Sequence, residues 1–267
     1  MTPTAAQIRL RILEMAFSGQ TVHIPSAFSI VEIVRTLHDR HLKYPNNDAD
    51  SESRDFLVLS KGHGVMALYP ILEARGWVPE LEIENYFQDG SLLPGLCEAH
   101  IPGCEVNGGS LGQGLSVAAG LAWSARLRKS DQKVFCLIGD GELNEGTIWE
   151  ALLFSASNKL GNLVVIMDAN GLQAMGETSQ ILAFEDLPSS IAGLGFEVRG
   201  INGHSEDEIN SVLDEHSYAS FGKPLFLIAK TVKGKGVSFI EDDNTWHYTR
   251  LDDSTYGQAV AEIRARL

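Results

Sequence analysis

The second half of the chain alternates short, continuous apolar runs with segments of helical spacing. The clearest runs are VFCLI at 134–138, LVVIM at 163–167 and LFLIA at 225–229, and a polar or glycine residue follows each within two positions. Runs of this length are typical of strands buried on both faces, as in a parallel sheet that helices cover on both sides. The pattern predicts an α/β fold with a doubly wound, mainly parallel sheet and helices on both faces.

Further elements follow from the same reasoning. No repeat, low-complexity tract or Pro/Ser-rich linker divides the chain, so we expect residues 1–267 to form a single domain. Thr4 is a plausible N-cap for the first helix, and Ser26 or Ser29 for the second. Residues 43–54 are polar and predict a surface loop. The predicted helices are 4–18, 28–42, a segment ending at 75, 111–128, 145–159, 206–216 and 254–267, with shorter strand runs at 56–59 and 196–198.

Composition excludes several classes of function. The formal net charge is −14 over 267 residues, which argues against nucleic acid and anionic membranes as partners because both require clustered Lys and Arg. No apolar run reaches the roughly 18 to 20 residues that span a bilayer, and the N-terminus has no signal-peptide core. Three cysteines are too few for a disulfide framework, so we expect a cytoplasmic protein.

Oxygen ligands follow two of the predicted strands. Asp140 ends one run and Asn170 follows the next, about one βαβ unit later, so neighbouring strands would bring both to one edge of the sheet. Such oxygens suit Mg²⁺ or Ca²⁺. Gly139 and Gly141 allow a phosphate to approach the backbone, and the helix that begins near Glu145 favours anions at its N-terminus. Gly-Asp-Gly alone is common in turns, but with Asn170 it predicts a divalent metal that bridges the protein to a diphosphate.

These motifs, in this order, resemble the diphosphate-binding domain of transketolases. Gly139-Asp140-Gly141 followed by Asn170 is similar to the thiamine diphosphate motif of that family. The resemblance runs from about Arg9 to about Ile263. Further matching segments are SKGHG at 60–64, GSLGQG at 109–114 and KTVKGKGV at 230–237.

The resemblance implies thiamine diphosphate and Mg²⁺, with Ca²⁺ as a possible substitute, as cofactors. Asp140 and Asn170 would bind the metal through their side chains, and Leu172 through its carbonyl oxygen. The Gly141 N–H would bind the diphosphate, with His63 nearby. The full set of residues that the resemblance assigns to cofactor binding is His63, Gly109, Leu111, Asp140, Gly141, Glu142, Asn170, Leu172 and His247, of which Gly109 and Leu111 would face the aminopyrimidine ring.

Three histidines match active-site positions of the family: His23, His63 and His247. Each has a plainer alternative: His23 could line the end of a helix, and His247 could be a surface residue. His63 lies between two glycines, where a role in the core is less expected.

Two acids and two lysines also admit plainer interpretations. Glu145 and Glu150 match acids at the subunit contact of transketolases, although acids are favoured in the first turns of any helix. Lys233 and Lys235 are expected to be solvated loop charges.

The chain departs from the family pattern before GSLGQG. The family's Gly-His-Pro is Gly95-Leu96-Cys97 here, so Leu96 replaces a histidine that helps to hold the donor sugar, unless His100 reaches the site instead. Ordinary pentose-phosphate substrates are therefore in doubt. Cys97, His100 and Cys104 in this loop offer three ligands for Zn²⁺ without an evident fourth.

Transketolases also need a second, pyrimidine-binding domain, and nothing after Leu251 is long enough to supply it. The resemblance therefore implies the N-terminal subunit of a split transketolase, inactive alone and assembled with a C-terminal partner as an α₂β₂ particle. Its expected activity is transfer of a two-carbon ketol unit between ketose and aldose sugar phosphates. The alternatives are a subunit of another thiamine-dependent ketol- or acyl-transferring synthase, and a non-catalytic paralogue.

Overall fold

The computed structural model describes residues 2–219 and 221–266. The strands are β1 (Phe56–Leu59), β2 (Val134–Gly139), β3 (Leu163–Ala169), β4 (Leu172–Gln173), β5 (Gly176–Glu177), β6 (Glu197–Asn202) and β7 (Leu225–Lys230). Five of them form the main sheet, in which every neighbouring pair is parallel, in the order β1-β2-β3-β7-β6. Strands β4 and β5 form a small antiparallel hairpin.

Helices cover both faces of the sheet, as predicted. Thr4 caps the first helix with a capping box, and the predicted final helix is present, although Leu267 lies outside the described residues. The helices are α1 (Ala5–Ser18), α2 (Ile24–Phe28), α3 (Val31–Thr36), α4 (Tyr69–Ala74), α5 (Glu80–Glu84), α6 (Gly114–Leu127), α7 (Gly146–Ser157), α8 (Thr178–Ile181), α9 (Leu187–Leu194), α10 (Glu206–Glu215) and α11 (Asp253–Arg264).

The prediction of one helix over 28–42 is wrong. The segment is divided among the end of α2, α3 and a π-helical turn at Leu37–His41. Neither predicted serine is a helix N-cap, because Ser26 lies within α2 and Ser29 is its C-cap residue. Ser29 instead donates its hydroxyl hydrogen bond to Asp168 (2.7 Å). The stretch after SKGHG also differs, because a 3₁₀ segment at Gly62–Ala67 precedes α4.

The alternation of side chains along the strands separates two apolar cores. On β2, Phe135 and Leu137 face a large core with α1, α3 and α10, while Cys136 and Ile138 face a smaller core with α6, α7 and α9. These strand residues are fully buried. Burial on both faces explains why the strands read as continuous apolar runs.

The register brings the carboxyl ends of the central strands together. Gly139 of β2 lies opposite Asp168 of β3, and Ala169 lies opposite Lys230 of β7. The expectation that the strands before Asp140 and Asn170 are neighbours is confirmed. Within the described residues no helix combines the length and apolar character needed to cross a membrane.

The buried His38 makes stability depend on pH. Its ring has no hydrogen-bond partner at either nitrogen within the described residues, and burial lowers its pKa to about 3. Below pH 6.5 the unfolded chain therefore binds a proton that the folded chain does not, and stability falls as the pH decreases towards 3. We predict that His38→Phe removes this loss. The difference in the free energy of unfolding between the variant and the wild type should be about 2 kcal/mol more favourable to the variant at pH 5 than at pH 8. Urea unfolding at both pH values measures it, and equal acid sensitivity of the two proteins contradicts it.

Candidate active site

A cavity of 530 Å³ opens at the carboxyl edge of the sheet. Segments that follow β1, β2, β3 and β7 line it, as expected for a ligand site in an open parallel sheet. It brings together every predicted site residue except Glu150. Those that line it are His23, His63, Gly109, Leu111, Asp140, Gly141, Glu142, Glu145, Asn170, Leu172 and His247.

The oxygen atoms predicted to bind a metal lie in two interlocked turns. The Gly171 N–H donates to Asp140 Oδ2 (2.7 Å), which joins the turn after β2 to the turn after β3. The Leu172 N–H donates to Asn170 Oδ1 (3.0 Å). Burial and the nearby Asp168 carboxylate raise the pKa of Asp140. A cation placed beside Asp140 would offset this penalty, because it favours the charged carboxylate.

Lys233 corrects one of the sequence predictions. It is 2% exposed rather than solvated, and its ammonium group donates to the Leu172 carbonyl (3.1 Å) and to Asn244 Oδ1 (3.0 Å). Burial, and secondarily the charge of Lys61, lower its pKa to about 8. The cavity therefore holds a desolvated cation next to the carbonyl predicted to bind the metal. Lys235 is half-exposed beside Glu241, in line with the prediction for that residue.

The three predicted histidines meet at one wall of the cavity. The centroids of their rings lie 5.0 to 5.9 Å apart, and the backbone N–H of His23 donates to the backbone carbonyl of His247 (3.2 Å). Burial lowers the pKa of all three, to about 3 for His247, and the charges of Lys61 and Lys233 act in the same direction. The rings are neutral at pH 7, so each can accept one hydrogen bond and donate another.

Glu142 supports the wall of the cavity from behind. Its carboxylate accepts hydrogen bonds from the Ser60 hydroxyl, the Gly112 N–H (2.8 Å) and the Gly139 N–H (2.8 Å). These donors come from three separate turns around the cavity. Both of its oxygen atoms therefore accept hydrogen bonds from the protein, and Glu142 connects the three turns to one another.

A fully buried ion pair lies beneath the same edge. Asp168 is 0% exposed, and its carboxylate accepts hydrogen bonds from Lys61 Nζ, Ser29 Oγ, Thr231 Oγ1 and Asn170 Nδ2. Burial alone would raise the pKa of Asp168, but Lys61 and the hydroxyl donors lower it below its ordinary value. The carboxylate is therefore ionised.

Polar atoms around the cavity have unused bonding capacity. Asn144 Oδ1, Gln173 Nε2 and His247 Nδ1 are buried and have no hydrogen-bond partner within the part of the chain that the structure describes. Buried polar atoms are almost always paired in proteins. The Gly141 N–H is predicted to donate a hydrogen bond to the diphosphate. A Cβ at this position would lie 3.2 Å from the side chain of Gln173, so the space beside the backbone is narrow. The residues present thus fit a polar, anionic ligand held together with a cation.

The two acids predicted at a subunit contact differ in position. Glu145 precedes α7 and lines the main cavity. Glu150 lies one turn further along and lines a separate depression of 300 Å³ between α6 and α7. The outer faces of these helices expose Val117, Leu153 and Phe154 beside it.

The loop with Leu96 forms neither of the alternative sites considered for it. His100 is exposed and its Nε2 lies 3.1 Å from the Leu92 carbonyl, so it does not replace the missing histidine. Cys97 and Cys104 are both buried. Among the described residues no group of three His, Cys, Asp or Glu side chains is arranged to hold a metal. The Zn²⁺ site suggested by spacing is not formed.

Leu96 lines both the main cavity and a second cavity of 400 Å³. His23 also borders both. The second cavity has an aromatic wall, Tyr86 and Phe87, and a cation, Arg250. Leu96 therefore stands where a ligand could extend beyond the main cavity.

Sequence reasoning missed several residues of the site. Ser26, Lys61, Lys233 and Asn244 line the main cavity or bond to its lining, and Asp168 lies below it. The available signal was the position of lysines beside glycines at strand ends, as in SKGHG and KGKG. It was overlooked because an isolated lysine is seldom buried.

Comparison with known proteins identifies the family. The family model described as the transketolase thiamine diphosphate binding domain matches residues 3–266. The chain belongs to this family. It is 41% identical to a protein of Actinobacillus succinogenes named as a subunit of apulose-4-phosphate transketolase, over 97% of this chain and 94% of the relative. It is 36% identical to the 6-deoxy-6-sulfo-D-fructose transketolase subunit SqwG of a Clostridium species, over 90% and 88%.

Solved structures agree with this assignment. The transketolase of Campylobacter jejuni superposes with a TM-score of 0.91 at 30% identity, over 97% of this chain. This chain spans only 42% of that transketolase. The transketolase family consists of thiamine-diphosphate-dependent transferases, and the fold described above is its diphosphate-binding fold.

A backbone crossing at Gly62 holds the transketolase-like cavity in shape. A Cβ at Gly62 would lie 2.5 Å from the backbone of Gly108, next to Gly109 in the cavity wall. We predict that Gly62→Ala destabilises the chain by about 1 to 3 kcal/mol in urea unfolding, because both backbones must shift. Gly257→Ala is the matched control: its Cβ meets nothing within 4 Å, and it should stabilise α11 by about 0.5 to 1 kcal/mol. Equal effects of the two substitutions would contradict the crossing.

Proposed function

We propose that this chain is the diphosphate-binding subunit of a two-subunit, transketolase-like enzyme. It holds thiamine diphosphate through Mg²⁺ and, with a pyrimidine-domain partner, transfers a two-carbon ketol unit between ketose and aldose substrates. The observation that carries the proposal is a single cavity in which metal-type oxygen atoms, a buried lysine and three neutral imidazoles converge. We infer that the chain forms a single domain for this purpose.

The metal would be held by Asp140, Asn170 and the Leu172 carbonyl. Carboxylate, amide and carbonyl oxygens are the ligands that Mg²⁺ prefers. Lys233, which now bonds to the Leu172 carbonyl, offers a charge to the diphosphate, and the Gly141 N–H and the N-terminus of α7 offer dipoles. Local groups can thus bind an anion even though the chain as a whole is acidic.

The chemistry that thiamine diphosphate supplies when bound is a carbon nucleophile and an electron sink for cleavage of a carbon–carbon bond. The protein's share is orientation and proton transfer. His23, His63 and His247 are neutral, so their ring nitrogens can accept a proton from a substrate hydroxyl and return it. Their clustering at one wall supports a shared role in handling the reacting carbonyl and hydroxyl groups.

One observation supports a partner subunit, and a second supports self-association of this chain. Relatives of nearly the same length are named as subunits, and this chain covers 94% of one and 88% of another. The exposed apolar residues on α6 and α7, beside Glu150, offer a face for self-association. We therefore propose an α₂β₂ particle, in which the α6 and α7 face joins two copies of this chain and the cavity faces the partner.

The substrates proposed are ketoses with an anionic end. The names of the two relatives describe a phosphorylated and a sulfonated sugar, respectively. Leu96 places an apolar side chain on the wall shared by both cavities, where it offers no hydrogen bond to a hydroxyl group. We infer a donor other than the ordinary pentose phosphates. Another thiamine-dependent synthase of ketol or acyl groups is the alternative that Leu96 keeps open.

Removal of Asp140 tests the metal site. We predict that Asp140→Ala weakens Mg²⁺-dependent binding of thiamine diphosphate by more than about 100-fold, because loss of a direct ligand should exceed the cost of losing an outer partner. Calorimetry on the co-purified pair gives the affinity. Asp207→Ala, an exposed carboxylate on α10, is the matched control. Unchanged affinity in Asp140→Ala would rule out the assignment.

The need for a partner is tested by separation. The isolated chain should show no ketol transfer with any ketose donor, and co-expression with the pyrimidine-domain subunit should restore it. A panel of phosphorylated and sulfonated ketoses, assayed with an aldose acceptor, provides the measurement. Turnover by the isolated chain would overturn the two-subunit proposal.

Substitution of Leu96 tests donor selection. Leu96→His adds a hydrogen-bonding ring to the shared wall, so kcat/KM should shift towards pentose-phosphate donors relative to the preferred donor by about 10- to 100-fold. Leu96→Met keeps the wall apolar and should leave the ratio nearly unchanged. Equal ratios in all three proteins would show that Leu96 does not select the donor.

A further inference from the structure

The buried Lys61–Asp168 pair lies behind the proposed metal ligands and has no role in the mechanism described so far. Asp168 does not line the cavity, and both side chains are almost completely buried. Buried ion pairs give little net stability, because removing two charges from water costs about as much as their attraction returns. We therefore looked to the contacts of the pair for a role other than stabilising the fold.

The arrangement of donors around Asp168 reveals such a role. Three donors share Oδ2: Lys61 Nζ, Ser29 Oγ (2.7 Å) and Asn170 Nδ2 (2.9 Å). Thr231 Oγ1 donates to the other oxygen. Lys61 also donates to the Ser26 carbonyl (3.1 Å), and this bond connects the ion pair to α2. The carboxylate is thus fixed from four directions.

Asn170 is the member of this network that both lines the cavity and is a proposed metal ligand. Its amide nitrogen donates to Asp168, while its amide oxygen accepts the Leu172 N–H (3.0 Å). A reversed amide would set its oxygen against the carboxylate and its NH₂ group against the backbone N–H, and both hydrogen bonds would be lost. The observed orientation keeps the oxygen, the atom that would bind a metal, on the Leu172 N–H, in the same turn whose Gly171 N–H donates to Asp140.

We propose that Asp168 is a positioning residue for the metal site, which locks the Asn170 side chain so that Oδ1 faces the cation, with Lys61 holding the carboxylate in place. The inference rests on the proposed function, because it assumes Mg²⁺ at Asp140 and Asn170. Outer partners of metal ligands typically change metal affinity by about 10- to 100-fold.

The decisive variant removes the pair as a unit. Lys61→Met with Asp168→Leu replaces both charges by apolar side chains and leaves no unpaired charge buried. The Asn170 amide nitrogen then loses its acceptor, and only the Leu172 N–H still favours the observed orientation. Titration of the co-expressed complex with Mg²⁺ in saturating thiamine diphosphate, followed by calorimetry, should show an affinity weaker by about 10- to 100-fold.

Rescue separates orientation from a general loss of structure. In the double variant, adding Asn170→Asp should raise the Mg²⁺ affinity at least tenfold over that of the double variant alone. Both ends of a carboxylate are oxygens, so no orientation has to be chosen. In the otherwise unchanged chain, the same substitution places a carboxylate against Asp168, so it should be less favourable there. A failure of rescue, or an equal effect of Asn170→Asp in both backgrounds, overturns the inference.

A milder variant keeps the test available if the double variant does not fold. In Asp168→Asn, the amide oxygen can still accept from Asn170 and Lys61 while its NH₂ group faces Thr231 Oγ1. Mg²⁺ affinity should therefore stay within about threefold of the wild type. A loss as large as that of Asn170→Ala contradicts the inference. If the wild type shows no Mg²⁺-dependent binding at all, the proposed function fails instead, so the two failures are distinguishable.

Discussion

The structure of the active-site edge depends on the ion pair and the hydrogen bonds that the Asp168 carboxylate makes. A fully buried charge is tolerated only when it is paired and hydrogen-bonded, and here its donors come from the turn after β1, the end of α2, the turn after β3 and the turn after β7. The bonding needs of one buried carboxylate thus hold four separate segments together. The parallel register alone would bring strand ends close, but the buried pair fixes the side chains that follow them.

The site built on this base is polar yet mostly uncharged. The imidazoles are kept neutral by burial and by two buried lysines, while Asp140 is made costly to ionise by burial and by Asp168. A cation beside Asp140 and an anion near Lys233 would offset these electrostatic costs. The diphosphate and divalent metal that we propose would supply both at once, in agreement with the family assignment.

The sequence predicted the parts that depend on local pattern. Buried parallel strands produce continuous apolar runs, so the fold class, the neighbouring positions of β2 and β3, and the meeting of Asp140 with Asn170 could all be predicted. It could not predict features that depend on distant partners. The burial of Lys233 requires acceptors from Leu172 and Asn244. Ser29, predicted as an N-cap, instead donates its hydroxyl to Asp168, 139 positions away. Likewise, the closeness of Cys97, His100 and Cys104 in sequence did not make a metal site, because the ring of His100 turns outward.

We propose that Asp140, Asn170 and the Leu172 carbonyl hold the metal of a thiamine diphosphate complex. The decisive experiment is a crystal structure of the co-expressed complex with thiamine diphosphate and Mg²⁺. We expect the metal within about 2.0 to 2.1 Å of one oxygen atom from each of the three residues, with the Asn170 amide nitrogen still hydrogen-bonded to Asp168. A cofactor bound with its metal elsewhere, or an Asn170 amide turned away from the cation, would contradict it.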